Sequence, residues 1–275
     1  MTVSINTNVG AMIALQNLNK TNMDLEQTQS RINTGMKVSS AKDNGAIYAI
    51  AQRMRSDVQA YGAVKNVLDR VSSTVDVGLA AGESVMDLLT QMKEKALAAA
   101  DASIDTNSRD SYNVDFVALR NQITRIVQNA TFNGVNMVNG TTVSMRALAN
   151  ATGTNLLTVL AENMTLGGGV VTVTAAGQIN TRTLASAMIA TINTSITNLG
   201  LALARMGTGS KALEMHTVFV GKLADSLEAG VGNLVDADLA KESARLQALQ
   251  TKQQLGVQAL SIANQAPQAI MSLFR

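Results

Sequence analysis

An apolar seven-residue repeat runs from Ala46 to Ala100 with no proline inside it. One series is Ile47, Met54, Tyr61, Leu68, Val75, Gly82, Leu89 and Ala96. Its companion is Ile50, Asp57, Val64, Val71, Gly78, Val85, Met92 and Ala99. Asp57 is the only charged residue on either series, whereas Arg53, Lys65, Asp69, Asp76, Asp87 and Lys93 lie off them. This is the pattern of a coiled-coil seam. One helix over the whole stretch is roughly 80 Å long at 1.5 Å per residue, and so long a stripe is buried only against other long helices. The fold class it predicts is mainly α: a rod-like bundle of long coiled-coil helices, with a small β-hairpin region in the middle of the chain. Gly78 and Gly82, neighbours on the seam, mark close packing or a bend.

Composition agrees. The 275 residues include one Pro, no Cys, no Trp and 14 Met, with 3% aromatic residues. Aliphatic knobs suit helix seams and proline breaks them. A net charge of +2 without a basic cluster argues against a nucleic-acid partner. The lack of cysteine excludes disulfides and thiolate metal sites. The opening Met1-Thr2-Val3-Ser4-Ile5-Asn6 lacks a signal-peptide pattern, and no apolar run is read as long enough to cross a bilayer. On these grounds alone the chain reads as soluble and cytoplasmic.

Ala11, Leu18, Leu25 and Ile32 form a second, shorter heptad in residues 9–33. Periodicity leaves it open between a helix packed on a core and an oligomerisation helix. The aperiodic stretch from Thr34 to Gly45 reads as a linker, with Asp43 available to cap the long helix. Asn107 and Asp110 form a variant capping box for a helix carrying Phe116, Leu119, Ile123, Ile126 and Ala130. Between 140 and 178 charge nearly vanishes. Val143, Met145 and Ala147 alternate with polar residues, Asn150–Gly153 supplies a turn and Leu156–Leu160 a return strand. Gly167-Gly168-Gly169 and Val170 to Val173 read as a flexible loop with one more strand. From 181 the repeat returns as Ala185, Ile192, Leu199, Met206, Leu213, Val220 and Leu227, the natural partner of the first seam. A last stripe takes in Val235, Leu239, Leu246, Leu249, Leu260 and Ile270.

No catalytic constellation emerges. Gly207-Thr208-Gly209-Ser210-Lys211 resembles half a phosphate loop but lacks its ending and a preceding strand. His216, the single histidine, has no second ligand for a metal, so a surface or interface role is expected. Asp236 and Asp238 fit helix capping better than metal binding. The residues call for no cofactor, and no nucleophile is paired with a base; the chain reads as not an enzyme.

Two terminal signatures resemble a known family. Ser4-Ile5-Asn6-Thr7-Asn8, Asn17-Leu18, Arg31-Ile32-Asn33-Thr34-Gly35 and Ser40-Ala41-Lys42-Asp43-Asn44-Gly45-Ala46 are similar to the N-terminal signature of bacterial flagellins. Tyr48-Ala49-Ile50 departs from the small residues or Leu that many members carry. Phe132-Asn133-Gly134 has a counterpart there too. At the other end, Asp236 to Glu242, Ala263-Asn264-Gln265-Ala266-Pro267-Gln268 and Ser272-Leu273-Phe274-Arg275 resemble the C-terminal signature, with Phe274 where the family has Leu.

The resemblance implies a self-assembling subunit of the flagellar filament. In it, residues 1–34 and 235–275 form a terminal coiled-coil domain lining the filament core, linked through 35–45 and 229–234 to a helical rod domain of 46–139 and 179–228. Residues 140–178 stand for a reduced variable region, where some flagellins carry O-linked sugars. The implied self-assembly seam is Ala11, Leu18, Leu25, Ile32, Val235, Leu239, Leu246, Leu249, Leu260 and Ile270. The rod-domain seam is Ile47, Met54, Leu68, Val75, Leu89, Leu199, Met206, Leu213 and Val220. Partners implied are further copies of the chain, the flagellar type III export apparatus, the filament cap, hook-associated junction proteins and an export chaperone, with neither nucleic acid nor membrane. The expected location becomes secreted and extracellular, in the flagellum. The competing readings are the hook–filament junction protein of the flagellin type and, from a different class, a helical export chaperone. Many flagellins also carry L-Q-R-[MV]-R-E-L on the long helix, where a vertebrate innate receptor grips the Arg after Gln and the final Leu. Here Gln91 and Lys95 occupy those two places.

Overall fold

The computed structural model describes residues 7–271, with side chains described through Gln265. Residues Ser4 to Asn6 and Ser272 to Arg275 of the two signatures, and the Ile270 side chain, lie outside that description. The elements are α1 (Val9–Thr34), α2 (Gly45–Ala100), α3 (Thr106–Asn129), β1 (Thr131–Phe132), β2 (Val135–Asn136), β3 (Ser144–Leu148), β4 (Leu156–Leu160), α4 (Arg182–Val235) and α5 (Leu239–Met271). The chain divides into two compact units, residues 57–225 and residues 1–56 with 226–275.

The larger unit is built on α2, α3 and α4. From Val64 onward every position of both α2 series is buried, including Leu68, Val75 and Leu89. Facing them, Ala185, Ile192, Leu199, Met206, Leu213 and Val220 of α4 are buried too. Phe116, Ile123 and Val127 of α3 complete the core. Gly78 and Gly82 mark close packing: a Cβ at Gly78 would lie 2.7 Å from Met206 Cε, and one at Gly82 would lie 2.5 Å from Leu203 Cδ2.

Several local expectations are corrected. Asp43 does not cap α2; its carboxylate accepts from the backbone N–H groups of Ser39 and Ser40, and Asn44 Oδ1 receives the Ile47 N–H at 3.1 Å. Asp105, not Asn107, caps α3, accepting from Ser108 N–H at 2.9 Å. Asn133 and Gly134 both take positive φ and join β1 to β2 as a tight primed-type turn. The predicted hairpin forms as β3 and β4, paired from Ser144↔Leu160 to Leu148↔Leu156.

The Gly-rich loop is neither loose nor a strand. Val170, Val171, Val173 and Ile179 are buried in the helix core, so residues 161–180 form an irregular strap lying across the bundle. Its polar backbone is satisfied by side chains: Thr172 N–H donates to Ser195 Oγ at 3.0 Å, and Ile179 N–H donates to Asn113 Oδ1 at 2.8 Å. Arg120 donates to Gly177 O at 2.6 Å. Such pairing is what buried irregular backbone requires.

This packing also corrects the membrane reading, since α4 is by length and composition apolar enough to span a bilayer. Part of that apolar surface is used inside the unit, where α2 lies against one side of the helix and the strap against another. The half phosphate loop at Gly207–Lys211 lies inside the unbroken α4.

The α2–α4 approach gives a paired test. Gly82→Leu forces new atoms into Leu203 and Met164, so it is expected to destabilise the subunit by about 1–3 kcal/mol in guanidinium unfolding. Gly62→Ala, with nothing within 4 Å of the added Cβ, is expected to stabilise it by about 0.5–1 kcal/mol through helix propensity. Equal effects of the two would contradict the close approach.

Candidate assembly surfaces

In the smaller unit α1 and α5 lie antiparallel. Asn8 Nδ2 donates to Ala263 O at 2.7 Å, Gln253 Nε2 to Asn22 Oδ1 at 2.8 Å, and Arg31 Nη1 to Glu242 Oε1 at 3.2 Å. These three ties run in opposite order along the two helices. Both helices are capped: Asn8 Oδ1 receives Ala11 N–H and Gly35 closes α1 in the left-handed region, while Asp238 Oδ1 receives the N–H groups of Ala240 and Lys241.

The contact follows a heptad on each helix. On α1, Ala11, Ala14, Leu18, Thr21, Leu25, Thr28 and Ile32 are buried or half-buried; on α5, so are Glu242, Leu246, Leu249, Gln253, Gly256, Leu260 and Ala263. A Cβ on Gly256 would stand 3.2 Å from Leu18 Cδ1, so leucine packs onto glycine there. The seam is only partly apolar, since its fully buried members on α1 are Thr21 and Thr28. Among the described side chains, Arg31 Nε and Glu242 Oε2 are buried without a hydrogen-bond partner, so the ion pair holds by one arm.

Of the ten residues read as one self-assembly seam, Ala11, Leu18, Leu25, Ile32, Leu246, Leu249 and Leu260 lie on this contact. Leu239 does not: it opens α5 and is 49% exposed. Val235 ends α4 and is buried instead with Val38, Ala51 and Val231. That cluster also holds the half-buried Ile47 and Met54, which therefore separate from the rest of the rod-domain seam; Ile50 is exposed. The heptad register of α2 changes its role here because Ala51, off both series, turns toward Val231 and Val235. Around the cluster, Lys37 and Val38 N–H donate to Val235 O at 2.6 and 3.2 Å, Ala237 N–H donates to Gly35 O at 2.9 Å, and Met36 bridges Asp236.

A second apolar face was not legible as a heptad. Val9, Met12, Ile13, Leu15 and Met23 of α1 and Leu255, Val257 and Ile262 of α5 are all exposed, Met12 by 64% and Ile262 by 68%. Val9, Met12 and Ile13, with Gln16 and Asn19, line an open apolar groove. The signal for it was the i, i+3, i+4 spacing of Val9, Met12 and Ile13, diluted by Gln16 and Asn19.

Elsewhere, Gln91 is exposed. Lys95 Nζ donates to Asp115 at 2.8 Å and lies 5.8 Å from the Tyr112 ring centre. The hydrogen bond to Asp115, then its charge, holds this ammonium above its ordinary pKa. His216 Nε2 lies 2.7 Å from Ala149 O, and since a carbonyl only accepts, this nitrogen donates and ties α4 to the end of β3.

The difference between the two units predicts their exchange behaviour. A partly polar seam between one pair of helices gives little protection. In the free subunit, Leu18 and Leu246 amides are expected to exchange fast and those of Leu89 and Leu213 slowly; strong protection of Leu18 and Leu246 would contradict this.

Comparison with known proteins identifies the family. The family model of the bacterial flagellin N-terminal helical region matches residues 5–143, and that of the C-terminal helical region matches residues 189–274. The chain is 57% identical to "Flagellin FljM" of Caulobacter vibrioides, covering 99% of this chain and 98% of that one. It is 45% identical to "Flagellin FljJ" of the same species, over 100% and 99% of the two chains. With a flagellin of Brucella melitensis it shares 37% identity over 99% of each. From head to tail, the chain belongs to the bacterial flagellin family.

Proposed function

We propose that the chain is a structural protein that polymerises with copies of itself into the flagellar filament, with α1 and α5 lining the inner core and the middle helices forming the outer tube. The observation that carries this reading is the second apolar face of α1 and α5. Eight large apolar side chains lie exposed in the subunit on helices whose other faces already meet. Val9, Met12 and Ile13 among them line one open groove; an exposed apolar patch of that kind marks a protein–protein contact, and a homopolymer supplies the same partner to every copy. On this reading, residues 1–34 and 235–275 are the assembly domain and 140–178 faces outward. The subunit is secreted through the flagellar export apparatus, with an export chaperone, and meets the filament cap and hook-associated proteins at the filament's ends. The junction-protein and chaperone alternatives are disfavoured by full-length identity to flagellins.

The test is Leu246→Asp. Removing a leucine from a packed site costs about 2–5 kcal/mol, and an unpaired carboxylate at a contact adds to it. Leu246 is half-buried in the subunit, so the free molecule bears the lower end of that cost. Every copy repeats the penalty in the polymer. The variant is expected to keep the larger unit folded by circular dichroism and to form no filaments by electron microscopy after salt-induced polymerisation. Polymerisation at the wild-type critical concentration would overturn the assignment.

A second consequence concerns Gln91 and Lys95. Gln91 lacks the planar charged fork that the resemblance places there, and the Lys95 ammonium, engaged by Asp115, stands in place of an apolar knob. The chain is therefore expected to be a poor agonist of the vertebrate flagellin receptor. In a cell reporter assay, Gln91→Arg with Lys95→Leu should raise potency by about tenfold or more. Wild-type potency equal to that of a flagellin with the intact motif would contradict it.

A further inference from the structure

Methionine sulfur is divided sharply between the inside and the outside of this protein. Met92, Met137, Met164 and Met206 are fully buried in the larger unit. Among the described residues, three methionines lie open: Met12 at 64%, Met23 at 63% and Met215 at 61%. The half-buried Met36 has its sulfur engaged by Arg55 Nη2 at 3.6 Å.

The open sulfurs of α1 differ in what surrounds them. Eleven residues is about three helical turns, so Met12 and Met23 lie on one line of α1, on the side turned away from the seam of Ala11, Leu18, Leu25 and Ile32. Met12 stands with Val9, Ile13 and Leu15 in the open apolar groove, which Gln16 and Asn19 also line. Asn8, one turn back, has both ends of its amide committed, to Ala11 N–H and to Ala263 O. Around Met23 the residues one turn away are Asn19, Lys20, Glu26 and Gln27, all polar. An added oxygen therefore meets mostly apolar neighbours at Met12 and hydrogen-bond donors at Met23.

We propose that Met12 is an oxidation site that controls assembly: as the thioether it packs into the contact between copies, and as the sulfoxide it keeps the subunit out of the filament. The proposal rests on the filament reading above. The oxidant is a hypohalous acid. The Met12 sulfur lone pair attacks the chlorine of hypochlorous acid and displaces hydroxide. Water then adds to the chlorosulfonium, and chloride and two protons leave. Sulfur gives up two electrons, and chlorine takes them as it becomes chloride. The product is polar where a flexible apolar chain stood, and methionine sulfoxide reductases reverse it. A sulfoxide buried at a contact without a partner raises the critical concentration by about tenfold or more. The four core sulfurs are shielded, so the subunit stays folded while its assembly is blocked.

The test treats the full-length free subunit with limiting hypochlorous acid and reads each methionine by peptide mass spectrometry. Met12, Met23 and Met215 should oxidise before Met92, Met137, Met164 and Met206. The partly oxidised mixture is then polymerised with salt and pelleted. Met12 sulfoxide should be depleted about tenfold in the filaments relative to the supernatant, and Met23 sulfoxide by less than about threefold. Met12→Leu, apolar and close in volume, should polymerise after oxidation as well as before it, whereas Met23→Leu should stay as sensitive as the wild type. Reductase treatment should return the oxidised wild type to the filament. The partition measured in the wild type decides even where Met12→Leu assembles poorly. Met12 sulfoxide shared evenly between pellet and supernatant, or full loss of assembly on oxidising Met12→Leu, would overturn the proposal and leave the filament reading intact. An untreated wild-type chain that forms no filaments would overturn both.

Discussion

A helix in a two-helix contact buries one stripe, and α1 and α5 each carry more apolar surface than one stripe holds. Their mutual seam takes up Leu18, Leu25, Leu246 and Leu249, together with Thr21, Thr28 and Gln253. The stronger apolar residues, Met12, Ile13, Leu255 and Ile262, point away from it. At about 25 cal/mol per Å² of apolar area removed from water, covering several such side chains is worth several kcal/mol per subunit. That gain is realised only when other molecules supply the cover. On the filament reading, the polar character of the inner seam and the apolar character of the outer face belong together: the pair is weak alone and gains stability from neighbours.

The larger unit buries one long stripe on each of its own helices, while Leu201, Met215, Val218 and Phe219 of α4 stay exposed on another side. Its α2 and α4 stripes are buried along their whole extent between Val64 and Val220, and Gly78 and Gly82 let them approach closely. The strap of residues 161–180 closes the remaining side with Met164, Val171, Val173 and Ile179. A unit that satisfies its own core folds without partners, as a subunit must if its terminal helices wait for neighbours.

Much of this was legible in the residues because long periodic stretches leave few alternatives. The α2 repeat located its helix to within a residue at either end, but α4 runs on through 229–234, read as a linker, to Val235. What was missed depended on three-dimensional competition. Asp43 and Asn44 are adjacent, and either is a good cap; the linker backbone engages Asp43 and leaves Asn44 for α2. The strap was hidden by its glycines and threonines, whose composition signals a loop although Met164, Val170, Val171, Val173 and Ile179 fill the core. The second face of α1 escaped because the search for sevens finds the stripe of Ala11, Leu18, Leu25 and Ile32 first. The exposure of Leu239 and the reassignment of Val235, Ile47 and Met54 to the junction core follow from where α4 ends and α5 begins, which an unbroken stripe does not reveal.

The central claim is that the outer apolar face of the terminal helices is covered by neighbouring copies. Electron cryomicroscopy of the assembled filament at side-chain resolution measures this directly. The account predicts that α1 and α5 line the interior, with Met12, Ile13, Leu255 and Ile262 packed against other subunits. Terminal helices on the filament's outer surface, with those four side chains facing solvent, would contradict it.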